Sequence, residues 1–224
     1  MKASETATAT ARRRDVRSPR RPWLAIGACA VVLTTLAGCA PLLIGGAVVG
    51  GALMATDRRS SGAQVDDEVI ELKARSRINE TFGDRGRISV TSYNRLVLLT
   101  GEVPAEVDKT TAEQAVARVD NVQSVVNELA VGPANTFAER TKDAFITTKV
   151  KASLVDAKDL FAQSIKVVTH RGTVYLMGRV TEREATRAGE VARGVSSVVK
   201  VVRVFEILTE AELANTQPRS VAKP

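Results

Sequence analysis

This 224-residue chain has few of the side chains that do metal, redox or nucleophilic chemistry. It contains one histidine, His170, and two cysteines, Cys29 and Cys39. That inventory excludes most His/Cys metal sites, a two-histidine metalloprotease motif and a disulfide framework. Serines, lysines and carboxylates are abundant, but no nucleophile elbow, phosphate-binding loop or dinucleotide fingerprint accompanies them. We therefore predict a protein that is not an enzyme and uses no metal or small-molecule cofactor.

Cys39 is the residue with the clearest chemical context. It closes the tetrapeptide LAGC after an apolar run over 23–37, which itself follows an arginine-rich stretch. A basic region, an apolar region and small residues in this order are typical of a secretory signal peptide. The tetrapeptide resembles the bacterial lipobox, which implies cleavage before Cys39, diacylglycerol on its thiol and acylation, for example by palmitate, of its new amino group. We predict a signal peptide over 1–38 and a covalent lipid on Cys39.

The region around Cys39 has a second interpretation. Residues 22–56 carry no charge, and about 20 apolar residues suffice for an uncleaved membrane helix.

In lipoproteins of diderm bacteria, Ala40 in place of Asp after the cysteine implies transfer to the outer membrane, facing the periplasm. Gly46 and Gly50 form a GxxxG motif, a packing signal for membrane helices. We predict that 39–65 is a lipidated N-terminus and flexible apolar tether, and helix packing remains the alternative.

The net charge of +7 is unevenly distributed. Residues 1–38 hold seven basic and two acidic side chains, so most of the excess belongs to the predicted signal peptide. Residues 66–132 hold 8 basic and 12 acidic side chains, whereas 139–208 hold 13 basic and 8 acidic ones. The charge therefore favours an anionic membrane surface as partner of the second segment and not of the first.

These two segments are related by an internal repeat of about 76 residues. Val125-Val126 recurs as Val201-Val202, and Gly101 recurs as Gly178. Ile70, Lys73 and Ile78 recur as Ile146, Lys149 and Leu154. Two copies predict two small domains, over 66–132 and 139–208, with a linker at 133–138 and a disordered tail over 209–224.

Each unit is predicted to have the order α-β-β-α-β. In the first unit, Val69, Leu72 and Ile78, with Ala74 between them, are predicted to form the apolar face of a helix, and Asp66 and Asp67 are predicted to supply negative charge at its N-terminus. The second unit is predicted to contain a helix over 143–156, strands over 165–169 and 173–179, a helix over 182–193 and a strand over 198–207. An antiparallel hairpin followed by a right-handed crossover gives an α+β fold, with two helices on a three-stranded mixed sheet.

The repeat resembles the BON domain of bacterial envelope proteins. In the second unit, the resemblance rests on ITTKVKASL (146–154), VTHRGTVYLMGRV (168–180) and TEREA (181–185). In the first unit, it rests on TDRRSSGAQVDDEVIELK (56–73) and ISVTSYNRLVLLTGEV (88–103). With the lipobox, the chain is similar to dual-BON outer-membrane lipoproteins. This resemblance implies support of outer-membrane integrity, binding of anionic phospholipid (phosphatidylglycerol or cardiolipin) by the second domain, and a connection with outer-membrane protein assembly.

The resemblance also implies a lipid-contact surface on the first helix of the second unit. An aromatic residue in the first turn of that helix enters the lipid, and Phe145 holds this position. The family usually has tryptophan there, so phenylalanine keeps the apolar wedge but lacks the indole N–H. Lys149, Lys151, Leu154 and Met177 are predicted on or beside the same surface. The alternatives place Phe145 in the core and leave the lysines as ordinary solvated charges.

A second candidate function belongs to a different class. The first unit would then serve as an adaptor or chaperone-like factor for outer-membrane protein assembly, acting through exposed strand edges. Nucleic acid is not predicted as a partner, although the GxxG at Gly83–Gly86 is similar to an RNA-binding loop, because this unit is acidic and the protein is exported. His170 is predicted to be an exposed turn residue and not a ligand or base.

Overall fold

The computed structural model describes residues 57–216. The predicted signal peptide, Cys39 and the apolar segment after it lie outside the described residues, as does the tail beyond residue 216. Between residues 57 and 216, no helix combines the length and apolar character that crossing a membrane requires. Nor does any group of three or more His, Cys, Asp or Glu side chains in that range form a metal site.

Domain 1 has the predicted α-β-β-α-β order. It consists of α1 (Ser61–Phe82), β1 (Arg87–Tyr93), β2 (Leu96–Val103), α2 (Glu106–Ala117) and β3 (Ser124–Val131). The central strand β2 pairs antiparallel with β1 and parallel with β3. Both helices pack on one face of this sheet around a buried apolar cluster.

Domain 2 repeats the arrangement. It consists of α3 (Phe137–Asp156), a single 3-10 turn (Ala162–Ser164), β4 (Ile165–His170), β5 (Thr173–Val180), α4 (Glu182–Arg193) and β6 (Lys200–Ile207). The central strand β5 pairs antiparallel with β4 and parallel with β6. The predicted α+β fold of two α-β-β-α-β units is confirmed. A short helix, α5 (Glu210–Thr216), follows in the segment that we predicted to be disordered.

Capping residues place the starts of α1 and α3 earlier than the apolar pattern predicted. The Ser60 hydroxyl accepts a hydrogen bond from the backbone N–H of Ala63, so α1 begins at Ser61. Thr136 and Glu139 form a reciprocal capping box, so α3 begins at Phe137 and not at 143. A side-chain oxygen at the N-cap satisfies a backbone N–H that has no partner within the helix.

The structure confirms Ala74 and Ile78 on the buried face of α1 but not Val69 and Leu72. Ile70, Ala74 and Ile78 follow each other at intervals of four residues and point into the core. Val69 and Leu72 are 43% and 70% exposed, so their assignment to the core is wrong. A spacing of four advances a residue by about 40° around the helix, which keeps a buried row nearly in line, whereas 69, 72 and 78 do not lie on one such row.

A buried aspartate connects the first helix of each domain to the hairpin turn beneath it. Asp67 accepts hydrogen bonds from the backbone N–H groups of Asn94 (2.7 Å) and Arg95 (2.8 Å), and from the Ser92 hydroxyl (2.6 Å). Burial acts to raise the pKa of Asp67, but these bonds and one from Arg59 outweigh it and leave the pKa below its usual value. Asp67 is the seventh residue of α1, beyond its first turn, so it anchors the hairpin turn and does not supply the negative charge that we predicted at the helix N-terminus.

Asp143 is the equivalent residue of domain 2, 76 positions later. It accepts from the backbone N–H groups of Arg171 and Gly172, each at 2.8 Å. Both turns place residues at positive φ, with 49° at Arg171 and 72° at Gly172. The carboxylate supplies acceptors to amides that a two-residue turn leaves unpaired, which explains why the repeat preserves this residue type.

The two sheets pack against each other through the faces that carry no helices. Leu98 and Met177 are fully buried in this interdomain seam, together with Tyr93, Tyr175 and Val204. The order of layers is therefore helices, sheet, sheet, helices. Because α1 and α3 belong to opposite outer layers, their exposed faces point to opposite sides of the molecule.

Candidate membrane-binding site

Phe145 lies on the outer face of α3 and is 65% exposed. The alternative that places it in the core is thereby excluded. It is the ninth residue of α3 and not part of the first turn, because Thr136 starts the helix earlier than predicted. The residues that α3 buries, Ile146, Val150 and Leu154, lie on the opposite side and attach the helix to the domain 2 core.

Lys149 lies one helical turn after Phe145, on the same face. The two residues differ by about 40° around the helix axis. The Lys149 ammonium donates to the Ser196 hydroxyl at 3.3 Å, which directs it toward the turn after α4. Lys151 is also exposed, but lies about 120° from Phe145 at the margin of the face. The structure thus brings Phe145 and Lys149 together and leaves Lys151 beside them.

Leu154 and Met177 are corrections to the predicted surface. Leu154 is 1% exposed and lies in the domain 2 core, because it continues the buried row that starts at Ile146. Met177 is 0% exposed and lies in the interdomain seam. Side chains alternate between the two faces of a strand, so Leu176 faces the helices and Met177 faces the other sheet. Neither side chain reaches the surface that carries Phe145.

Two residues of this surface were not found from the sequence. Lys142 is exposed three residues before Phe145, at a helical spacing that could have identified it. Val199 is 78% exposed, and its backbone N–H donates to the carbonyl of Gly172 at 2.9 Å, which places it near the turn that Asp143 holds. No sequence signal identifies Val199, because its contact with the turn at Gly172 depends on the tertiary fold.

A shallow cavity of about 490 Å³ adjoins Lys149. It lies between α3 and the end of α4, and its lining consists mostly of small and apolar side chains: Lys149, Ala152, Ser153, Val191, Gly194, Val195 and Ser196. The single cationic group in that lining is therefore surrounded by side chains that leave room for a ligand. Such a cavity suits a phosphate-bearing headgroup with an adjoining apolar chain.

Domain 2 offers several cations to such a ligand. Among the described residues, eight exposed cations of domain 2 make no ion pair: Arg140, Lys142, Lys149, Lys151, Lys158, Arg183, Arg193 and Lys200. Unpaired cations near an anionic surface contribute more to binding than cations already neutralised by a neighbour.

His170 is part of the domain interface and not an exposed turn residue as predicted. Its Nε2 lies 2.8 Å from Glu102 Oε1, and Arg171 Nε donates to the same oxygen at 2.7 Å. The Glu102 side chain is 1% exposed, and its other oxygen accepts from the backbone N–H of Asn135 at 3.2 Å. A domain 1 carboxylate thus holds the hairpin turn of domain 2, whose backbone N–H groups bond to Asp143 of α3.

The strand edges of domain 1, which the adaptor interpretation requires, are partly occupied by side chains. On β1, the Ser92 N–H donates to Glu71 (2.9 Å), and the Ser92 carbonyl accepts from Lys166 of domain 2 (3.0 Å). On β3, the Leu129 N–H donates to the side chain of Asn127 at 3.2 Å. Side chains that occupy edge N–H and C=O groups disfavour the addition of a further strand.

Comparison with known proteins identifies the repeat. The BON domain family model matches residues 66–133 and 142–209. The chain is 39% identical over 175 residues to Outer membrane lipoprotein DolP of Haemophilus influenzae, which covers 77% of this chain and 90% of that protein. It is 35% identical over 151 residues to a 21 kDa hemolysin of Actinobacillus pleuropneumoniae, with 66% and 78% coverage. Osmotically-inducible protein Y of Escherichia coli is 27% identical over 144 residues, with 62% and 72% coverage.

Proposed function

This chain belongs to the BON-domain family, and from that membership we propose that it is an outer-membrane lipoprotein that binds anionic phospholipid through domain 2 and supports envelope integrity. It would be anchored by a lipid on Cys39, would face the periplasm and would act without catalysis. The name of the Haemophilus influenzae relative supports the location. The observation that carries the lipid-binding role is Phe145, a large apolar side chain exposed on a helix face bordered by cations.

The physical argument is that the outer face of α3 combines two attractions to an anionic bilayer. Fully burying a phenylalanine side chain contributes about 1.5–3 kcal/mol, and roughly two thirds of that is still available to Phe145. Each cation close to an anionic surface contributes about 1 kcal/mol. Lys142 and Lys149 flank Phe145 at helical spacing, so all three can approach one membrane together.

The anchor and the α3 face can engage the same membrane. Eighteen peptide units separate Cys39 from Asp57, and an extended chain of that length reaches at most about 60 Å. Tethering raises the local concentration of domain 2 at the bilayer, so a surface of modest intrinsic affinity suffices. The combination would let domain 2 respond to the local content of phosphatidylglycerol or cardiolipin while the protein stays anchored.

The test is co-sedimentation of the full chain with vesicles of phosphatidylglycerol and phosphatidylcholine, compared with vesicles of phosphatidylcholine alone. Phe145→Ala should weaken binding to the anionic vesicles by about 5- to 30-fold, the equivalent of 1–2 kcal/mol. Phe137→Ala is the matched control, because Phe137 is 77% exposed on α3 but lies about 12 Å away along the axis and about 80° around it. Equal binding of all three proteins, or equal loss in both variants, would contradict the proposal.

A second candidate function is supported by the exposed face of α1. Val65, Val69 and Leu72 are 57%, 43% and 70% exposed and form one stripe. The repeat aligns Val69 with Phe145, but places Thr141 and Thr148 where domain 1 has Val65 and Leu72. Apolar residues at these two positions are therefore not a requirement of the fold. The stripe faces away from the α3 side, so an envelope protein with an apolar segment is its natural partner, consistent with an adaptor role in outer-membrane protein assembly.

Site-specific photo-crosslinking distinguishes this second function. A crosslinker at Leu72 should capture a defined envelope protein in intact cells, whereas one at Gln114 on α2 should not. In a deletion strain, the Leu72→Lys variant should then fail to restore outer-membrane protein assembly. The same variant, when purified, should still bind anionic vesicles. Identical crosslinking patterns at both positions would refute a specific docking role for α1.

A further inference from the structure

The first described residues, Asp57–Arg59, lie at the interdomain seam and contact both domains. Arg58 belongs to domain 2 by its contacts, although it precedes domain 1 in the chain. Its guanidinium makes two hydrogen bonds to the Glu184 carboxylate, at 2.7 and 2.8 Å, and a third to the carbonyl of Arg179 at 3.0 Å. It also lies over the ring of Phe161, 5.4 Å from its centre.

Arg59 makes the corresponding contacts with domain 1. Its Nη1 donates to Asp67 at 2.8 Å, and its guanidinium lies over the ring of Tyr93, 4.2 Å from its centre. Asp57 accepts from the other nitrogens of this guanidinium, the shortest bond being 2.6 Å. The Tyr93 hydroxyl in turn donates to the carbonyl of Ser164 in domain 2 at 3.1 Å. Consecutive residues of one short segment therefore bind opposite sides of the seam.

Both carboxylates that receive these arginines also hold local structure. Glu184 closes the capping box of α4 with Thr181, and Asp67 holds the β1–β2 turn. The side chains of Arg58 and Glu184 are 9% and 6% exposed. A planar guanidinium matches a carboxylate with two parallel bonds, and removal of one partner leaves a buried charge without compensation. These contacts are therefore specific in geometry and sensitive to substitution.

We propose that Asp57–Arg59 is an interdomain clasp, through which the point of entry of the anchored N-terminal segment holds domains 1 and 2 in one orientation. The clasp also gives the outer face of α3 a constant position relative to that entry point. This second consequence rests on the proposed membrane function, whereas the first depends only on the contacts of Arg58 and Arg59. Arg58 acts as a positioning residue, since it lies apart from Phe145 and its flanking lysines.

The experiment measures the distance between the two outer helix layers by double electron–electron resonance. The full chain carries spin labels at Gln114→Cys on α2 and Arg193→Cys on α4, with Cys29 and Cys39 replaced by serine. The parent should give one narrow distance distribution. Arg58→Gln should broaden it or add a second population, with unchanged circular dichroism. Arg77→Gln is the matched control, because Arg77 pairs with Glu80 at an exposed site on α1, and it should keep the narrow distribution.

Further variants separate a clasp from a general loss of folding. Arg58→Lys keeps the charge but loses the two parallel bonds, so it should broaden the distribution less than Arg58→Gln does. Glu184→Gln should behave like Arg58→Gln, and the double variant should be no worse than either single one, because the two groups act as a pair. The clasp would be overturned if Arg58→Gln kept the narrow distance distribution of the parent, or if Arg77→Gln broadened it as much as Arg58→Gln does. Additive broadening in the double variant would overturn it as well. Because no lipid is present, these results do not depend on whether Phe145 binds membranes.

Discussion

Replacement of Leu154 by alanine should lower the free energy of unfolding without changing lipid affinity. Phe145→Ala should lower lipid affinity without changing the free energy of unfolding. Both residues lie on α3, and the sequence placed both at the lipid surface. The structure separates them, since Leu154 is 1% exposed and Phe145 is 65% exposed. Truncation of a fully buried leucine costs about 2–5 kcal/mol, because apolar contacts are lost and a cavity remains. Truncation of an exposed side chain changes the free energy of unfolding by less than about 0.5 kcal/mol.

These free energies give a melting difference that is easily measured. For a folded region of about this size, 1 kcal/mol shifts the melting temperature by about 2–4 °C, so Leu154→Ala should melt roughly 5–15 °C lower than the parent. Thermal unfolding followed by circular dichroism measures this shift, and vesicle co-sedimentation well below the melting temperature measures affinity. If Leu154→Ala kept the parental melting temperature but bound anionic vesicles more weakly, the assignment of Leu154 to the core would be refuted.

Three further predictions follow from single contacts. Lys142→Gln and Lys149→Gln should each weaken binding to phosphatidylglycerol vesicles about fivefold, with smaller differences at high salt; equal losses at all ionic strengths would argue against an electrostatic contribution. Gly178→Ala should lower the melting temperature, because a Cβ there would collide with the carbonyl of Ser164, and an unchanged temperature would show that the backbone relaxes at no cost. Because the pKa of Asp67 is lowered on folding, its contribution to stability is present above its unfolded pKa and is lost as pH falls through the folded value. Urea titrations at several pH values should therefore show less acid destabilisation in Asp67→Asn than in the parent. An unaltered dependence of the unfolding free energy on pH would contradict this.

The local elements were predictable because short-range physics dominates them. The bounds of α4, predicted over 182–193, agree with the structure because Thr181 and Glu184 give a complete capping box in sequence. The hairpin turn at Asn94-Arg95 was predictable from a polar break between two apolar runs. The start of α3 was missed because the residues before 143 lack apolar periodicity, although Thr136 and Glu139 carry the same capping signal.

The predicted surface positions were wrong for apolar residues that could lie either in a domain core or on another face of the same element. Met177 and Leu176 are both fully buried on β5. The alternation of side chains along a strand predicts that they lie on opposite faces of the sheet, but it does not predict that a second sheet covers the face that carries Met177. Val69 and Leu72 are apolar, yet the core of domain 1 is complete without them, so periodicity alone assigned them to the wrong face. His170 gave no sign of its partner, because Glu102 lies 68 residues earlier in the other domain.

The repeat, the α-β-β-α-β order and the opposite charges of the two units could be predicted without coordinates, since these depend on composition, spacing and local hydrogen bonding. The sequence also directed attention to Phe145 and Lys149, which share one helix face at a separation of four residues. Which residues remain on that face, how the two sheets meet, and why Arg58 and Arg59 bind different domains became clear from the tertiary packing. Those outcomes depend mainly on contacts between residues far apart in the sequence, such as Glu102 with His170 and Arg58 with Glu184, and no local pattern records them.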